Sequence, residues 1–248
     1  MFEKSLIIKL FENIGSNLSS NITIYLIGGG NMSLKGLKPA TKDIDLVLLS
    51  KKDLDILKPI IEKQGYKIDK ELFEEAVYRD AFLVFQDESE SRIDVFINIV
   101  CNQLKLSENI RKRSKEYARY EKLKIMLVSN EDLFLFKSIT DRPQDIDDCL
   151  TLINAGLKWN IILSECISQH RKETKWIFWV YEQICRIEES KDVSLPQKSS
   201  IFQICVKNWN NKPQDFMAEF TKEQIIKHIP RQYQKKIFKS IDKVERKK

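Results

Sequence analysis

Residues 22–49 read ITIYLIGGGNMSLKGLKPATKDIDLVLL, and the fold turns on how that stretch divides. An apolar run from Ile22 to Ile27 stops at three consecutive glycines, Gly28, Gly29 and Gly30. A polar loop is expected next, after which Asp43-Ile44-Asp45 leads directly into a second apolar run, Leu46 to Leu49. Both runs have strand length and β-branched content, and turn formers bound both. Side chains alternate along a strand, so Asp43 and Asp45 fall on one face and Ile44 and Leu46 on the other. Two carboxylates on one face repel each other unless a cation lies between them. Oxygen-only ligands of this kind suit Mg2+, which is commonly held by one or two carboxylates together with substrate phosphates. Taken singly, a glycine triplet is also an ordinary tight turn, and Asp-x-Asp also a solvated strand end.

Upstream, Phe2, Leu6, Ile7, Leu10 and Phe11 sit at helical spacing, with Gly15 as an expected stop. Downstream, Lys51 to Gln64 reads as an amphipathic helix carrying Leu54, Leu57, Ile60 and Ile61 and closing at Gly65. Short strands are expected at Tyr66–Ile68 and Ala81–Phe85, with a short helix at Glu71–Val77 between them. Residues 91–100, SRIDVFINIV, alternate as a strand: Ile93, Val95 and Ile97 on one face, Arg92, Asp94 and Phe96 on the other. Asp94 is therefore a lone carboxylate on a strand otherwise suited to a buried sheet; its plain reading is a paired or surface Asp.

Leu104 to Lys124 is basic, with eight Lys or Arg against three Glu, and Ser107 suits the cap of a helix carrying Arg111, Arg113 and Arg119. That stretch is either a solvated face or a contact for triphosphate or RNA. Leu123 to Val128 is expected to be the last strand. In residues 127–153, Asn130 opens a helix with Leu133, Phe136 and Lys137 at helical spacing, and Pro143 suits the first turn of the next. Asp145 and Asp148, three apart, share a face of that second helix. Salt bridging between the two helices would account for these charges without any catalytic role.

The glycine triplet, a gap of about a dozen residues and Asp-x-Asp with apolar flanks together resemble the signature of the nucleotidyltransferase superfamily that includes DNA polymerase β. Lys137, Arg142, Asp145 and Asp148 are similar to a motif of toxin–antitoxin and phage-defence members, the AbiEii-type and DUF6036-type nucleotidyltransferases. Gln144 departs from the basic residue many members carry there, which leaves open how Asp145 and Asp148 divide their work. The resemblance implies an α/β (α+β) fold, a mixed sheet flanked by helices and followed by an all-helical C-terminal region. It implies a catalytic domain over residues 1–128 and a helical domain over 129–248 that completes the site.

It implies further that Asp43, Asp45 and Asp94 hold two Mg2+ ions, or Mn2+, about 3.5–4 Å apart. Gly28, Gly29 and Gly30 let backbone N–H groups approach the β- and γ-phosphates of an NTP, Lys137 and Arg142 bind phosphate, and Asp94 takes the proton of an attacking hydroxyl. The acceptor is RNA, tRNA foremost, or a protein, with a cognate toxin or antitoxin as a possible partner. A catalytically silent nucleotide- or RNA-binding module on the same fold is the other reading.

Composition bounds these expectations. The chain has 248 residues, 42% hydrophobic and 31% charged, as in soluble globular proteins of one large or two small domains. No signal peptide is read at the N-terminus, where Glu3, Lys4 and Lys9 interrupt the apolar residues, and no run approaches the ~18 residues of a membrane span. Cys101, Cys149, Cys166, Cys185 and Cys205 are scattered, and with only His170 and His228 no zinc site is expected. Reduced thiols and a cytoplasmic setting follow. Of the net charge of +6, Lys222–Lys248 carries +7 and the remainder −1. Beyond residue 155 the pattern is helical, in Trp159–Glu189 and, after a loop at 190–200, in Ile201–Trp209, Phe216–Phe220, Lys222–Ile229 and Arg231–Val244. The aromatic stripe of Trp159–Glu189 reads as core.

Overall fold

The computed structural model describes residues 1–69, 82–140, 142–171, 175–209 and 221–245. The helices expected at Glu71–Val77 and Phe216–Phe220 lie outside them. The chain divides into two compact units, Met1–Lys158 and Trp159–Lys248. The first unit takes in the two helices that follow the sheet.

In the first unit, β1 (Phe2–Glu3) precedes α1 (Lys4–Asn17), then β2 (Ile22–Ile27), α2 (Gly28–Leu34), β3 (Ala40–Thr41), β4 (Asp43–Leu48) and α3 (Lys51–Lys63). β5 (Lys67–Ile68), β6 (Leu83–Gln86), β7 (Arg92–Ile97), β8 (Ile99–Val100) and β9 (Leu104–Lys105) follow. Next come α4 (Glu108–Arg113), β10 (Lys115–Tyr120), β11 (Leu123–Leu127), α5 (Asn130–Ser138) and α6 (Pro143–Asn154). The main sheet runs β10-β11-β2-β4-β7-β6-β5, parallel at β11/β2 and β4/β7 and antiparallel elsewhere. The α/β class and mixed sheet are as expected.

Helix α1 seals one face with Ile7, Phe11 and Ile14, all buried against Ile22, Ile24 and Leu26 of β2 and their neighbours. Gly15 does not stop α1, which continues to Asn17. A Cβ there would overlap the Tyr120 carbonyl oxygen, so this glycine serves a close approach of helix to strand. Helix α3 is capped by Ser50, whose Oγ accepts from the Asp53 N–H at 3.2 Å, and it buries the four expected apolar residues.

Two further expectations need correction. The glycine triplet opens not a loop but α2, which is buried along its whole length. Arg119 lies on β10, because α4 ends at Arg113.

The second unit holds α7 (Trp159–Ser168), α8 (Trp176–Lys191), α9 (Lys198–Asn208), α10 (Lys222–His228) and α11 (Arg231–Glu245). The single helical pattern over Trp159–Glu189 is broken after Ser168, where Ser168 Oγ donates to the Glu165 carbonyl at 3.0 Å and Gln169 Nε2 to the Glu165 carboxylate at 2.8 Å. The aromatic stripe is core: Tyr181 and Phe202 lie 4.9 Å apart, and Trp209 and Tyr233 meet Phe202 edge-on at 5.6 and 5.5 Å. No helix among the described residues is long and apolar enough to cross a membrane.

Candidate active site

The carboxylates converge because of strand direction. β4 runs antiparallel to β2, so the end of β2 meets the start of β4, with Ile27 opposite Asp45. β7 runs parallel to β4, which places Asp94 opposite Asp45 and Arg92 opposite Asp43. The glycine turn, Asp43, Asp45 and Asp94 therefore share one end of the sheet.

Gly28 stands at φ +60°, and a Cβ on it would overlap the Asp45 carboxylate. Gly29 is closed in the same way by the Thr41 hydroxyl, whereas a Cβ on Gly30 would only touch Leu26 at 3.5 Å. Gly28→Ala is thus expected to lower the melting temperature and displace Asp45, while Gly30→Ala melts at or above the parent temperature. Thermal melts of the two variants check this.

The three glycines form the first turn of α2, whose backbone N–H groups have no intrahelical acceptor. Side chains hold that short helix in place. Asn31 Nδ2 donates to the Leu26 carbonyl at 2.7 Å, and Lys35 Nζ donates to the Val128 carbonyl at 2.6 Å and to Asn130 Oδ1 at 2.9 Å. These bonds join the glycine turn to the start of α5. Burial draws the Lys35 ammonium down to about 8, against the opposing pull of Glu131 and Asp132.

The acids are strongly coupled. Asp94 is buried, and its Oδ1 has no hydrogen-bond partner among the described residues. Burial first, then the charges of Asp45 and Asp43, push its carboxyl up to about 8. Asp45 is partly open to solvent yet sufficiently enclosed that desolvation raises it too; Asp43 and Asp145 push the same way, Lys137 and Arg142 the other. Asp43 is differently placed. Arg92 grips it with Nε on Oδ1 at 2.8 Å and Nη2 on Oδ2 at 2.7 Å, the paired geometry a guanidinium favours.

Among the described residues no group of three or more His, Cys, Asp or Glu side chains is arranged to hold a metal ion. Asp43, Asp45 and Asp94 share this end of the sheet, with Asp43 bonded to Arg92. Asp45 and Asp94 alone still fit a divalent cation. They repel each other, Asp94 has an orphaned buried oxygen, and two carboxylates completed by substrate phosphate suffice for Mg2+.

Helix α5 supplies the cations. Ser129 caps it, its Oγ accepting from the Asp132 N–H at 3.2 Å, and Arg113 fastens Asp132 through two bonds of 2.6 and 3.1 Å. Arg113 is thus committed to structure, and Arg119 pairs with Glu116 on its own strand. At the other end of α5, Lys137 Nζ bonds Asp145 Oδ1 and Asp148 Oδ2, each at 2.8 Å. The helix-to-helix salt bridges that the spacing allowed are therefore present. Burial, the largest single influence on Lys137, favours its neutral form, but Asp145 and Asp148 together outweigh it and hold the ammonium charged. Thr140 Oγ1 donates to Asp145 Oδ2 at 2.5 Å, and Lys38 Nζ reaches both oxygens of Asp148 at 2.8 and 3.1 Å. Arg142, the N-cap residue of α6, acts on both Asp45 and Asp94 through its charge.

Arg92, Thr140 and Lys38 were not singled out from the sequence. Arg92 alone had a signal there, since it shares a strand face with Asp94.

Residues 6–181, more than half of the chain, match the family described as "Nucleotidyltransferase of unknown function (DUF6036)". The chain belongs to that family. It is a nucleotidyltransferase, an enzyme of nucleoside monophosphate transfer. No protein of curated function matches the sequence.

Among solved structures, this nucleotidyltransferase is similar to the lincomycin-bound crystal structure of the lincosamide antibiotic adenylyltransferase LnuA. The identity is 20% over 59% of this chain and 92% of that one, with a TM-score of 0.39. It is similar also to the solution structure of the antibiotic-resistance factor ANT(2'')-Ia, at 11% identity over 66% and 89% with a TM-score of 0.44. JHP933 from Helicobacter pylori is 12% identical over 87% and 94%, with a TM-score of 0.37.

Proposed function

We propose that this nucleotidyltransferase moves a nucleoside monophosphate from an NTP to a hydroxyl of RNA, tRNA foremost, in a cytoplasmic toxin–antitoxin or defence setting with a cognate partner. The observation that carries the reading is the register pairing of Asp45 with Asp94 beside the side-chain-free Gly28, in the charge field of Lys137 and Arg142.

Asp45 and Asp94, joined by Asp43 when Arg92 lets go, would hold Mg2+, two ions when the site is full, or Mn2+. Bound there, the metal supplies charge stabilisation and lowers the acidity barrier of the attacking hydroxyl. The residues themselves do the rest. Gly28 to Gly30 leave room for phosphate oxygens at the first turn of α2. Lys137 and Arg142 offset charge developing on the leaving pyrophosphate. Asp94, a buried carboxylate with one unpartnered oxygen, is suited to accept the hydroxyl proton once a bound cation holds it ionised. Asp145 and Asp148 hold Lys137 in position.

RNA is favoured over a protein acceptor by the exposed lysines Lys235 and Lys239 of α11 in the basic tail. The silent-module reading has one observation in its favour, the occupied Asp43 carboxylate.

A single assay decides between them: labelled NTPs, Mg2+ and total tRNA, with Asp43→Ala as control. Labelled tRNA from the parent protein and about a hundredfold less from the variant is expected. No transfer or NTP hydrolysis, with variant and parent alike, would leave the silent module. RNA binding should weaken steeply with salt and weaken further on truncation after Thr221; salt-independent binding points to a protein acceptor instead.

A further inference from the structure

We infer that Lys38 is a second phosphate-binding cation of this site, held by Asp148 for the pyrophosphate end of the NTP. The inference rests on the nucleotidyl-transfer reading and adds to it a residue and a subsite.

Lys38 lies between α2, which opens with Gly28, and β4, which opens with Asp43, so the chain delivers it from inside the two halves of the motif. Its ammonium meets Asp148 on α6 at 2.8 and 3.1 Å, and the same carboxylate takes Lys137 at 2.8 Å. Lys137 in turn shares Asp145 with Thr140. The result is a row of alternating charge, Lys38, Asp148, Lys137, Asp145.

The two lysines differ in freedom. The Lys137 side chain is 14% exposed and ties two of its three N–H donors to separate aspartates. The Lys38 side chain is 32% exposed, meets a single carboxylate and keeps at least one donor with no acceptor among the described residues. A lysine is a compact charge on a flexible four-carbon stem, so it can turn to a phosphate oxygen without leaving its aspartate. Asp148 alone would repel a triphosphate; flanked by two ammoniums its charge is offset, and Lys38 stands at the cationic end of a row that is neutral as a whole.

The test is calorimetric titration of the full chain, with Mg2+, by NTP, pyrophosphate and nucleoside monophosphate. Lys38→Met is expected to weaken NTP and pyrophosphate about tenfold and to leave the monophosphate within about twofold, as loss of one charge-assisted hydrogen bond would. Lys38→Arg should restore most of the loss. Asp148→Asn should weaken pyrophosphate in the same way, and the double variant no further, since the two residues act as one unit. Equal weakening of all three ligands, or none, overturns Lys38 as a phosphate ligand. If the parent chain binds neither NTP nor pyrophosphate, the reading beneath falls, and Lys38 with it.

Discussion

Asp94→Asn folds, loses nucleotidyl transfer by about a thousandfold or more, and gains thermal stability over the parent chain as pH rises. The reason is electrostatic. In the folded, metal-free chain the Asp94 carboxyl is pushed up to about 8 by burial and by Asp45 and Asp43, whereas in the unfolded chain it titrates near 4. Below about pH 4 both states carry the proton, and this residue's contribution is fully present. As pH rises, the unfolded chain releases its proton first, so stability is lost progressively until the folded carboxyl ionises near 8. Asparagine cannot ionise, and its amide can donate to Asp45. Parent and variant should therefore melt alike near pH 4, separate progressively between about pH 4 and 8 with the variant higher, and keep a constant difference above that. Adding Mg2+ should raise the parent's melting temperature at pH 8 and leave the variant's nearly unchanged. Transfer by Asp94→Asn at the parent rate would end the case for Asp94; a pH-independent difference in melting would end its electrostatic account.

Lys137→Ala is the second large effect, and it falls on both stability and activity. Asp145 is wholly buried, Lys137 largely so, and Asp148 lies beside them. Removing the ammonium leaves the buried Asp145 with only the Thr140 hydroxyl and Asp148 with only Lys38, a loss of about 3 kcal/mol. Transfer should drop about a hundredfold or more even at temperatures where circular dichroism shows the variant folded. The control is a triple variant, Lys137→Met with Asp145→Asn and Asp148→Asn, which removes the charges together. It should recover most of the stability and none of the transfer. Recovery of activity as well would mean that the cluster only holds α5 to α6.

Much of the site was legible because its residues are close in sequence or follow strand periodicity. Asp43 and Asp45 alternate with buried Ile44 and Leu46, and Asp94 interrupts an otherwise apolar strand. Asp145 and Asp148 fall at helical spacing after Pro143, where α6 starts, and Lys137 at helical spacing with Leu133 and Phe136 in the helix before it. What escaped is long-range. Arg92 reaches Asp43 only because β4 and β7 are parallel neighbours in one particular register. Lys38 meets Asp148 across 110 residues, a pairing no local pattern encodes.

The same division runs through the elements. The sequence by itself determined the sheet strands that begin at Ile22, Asp43, Arg92 and Leu123, the helix cap at Ser107, and that Asp94 stands as a lone carboxylate on its strand, since propensity, capping and alternation act over a few residues. The tertiary structure alone decided that GGGNMSL becomes a helix. Three glycines disfavour that state, and the bonds of Asn31 and Lys35 to Leu26, Val128 and Asn130 offset the cost. It alone also decided that Arg92 holds Asp43 while Asp45 and Asp94 stand opposite each other on neighbouring strands.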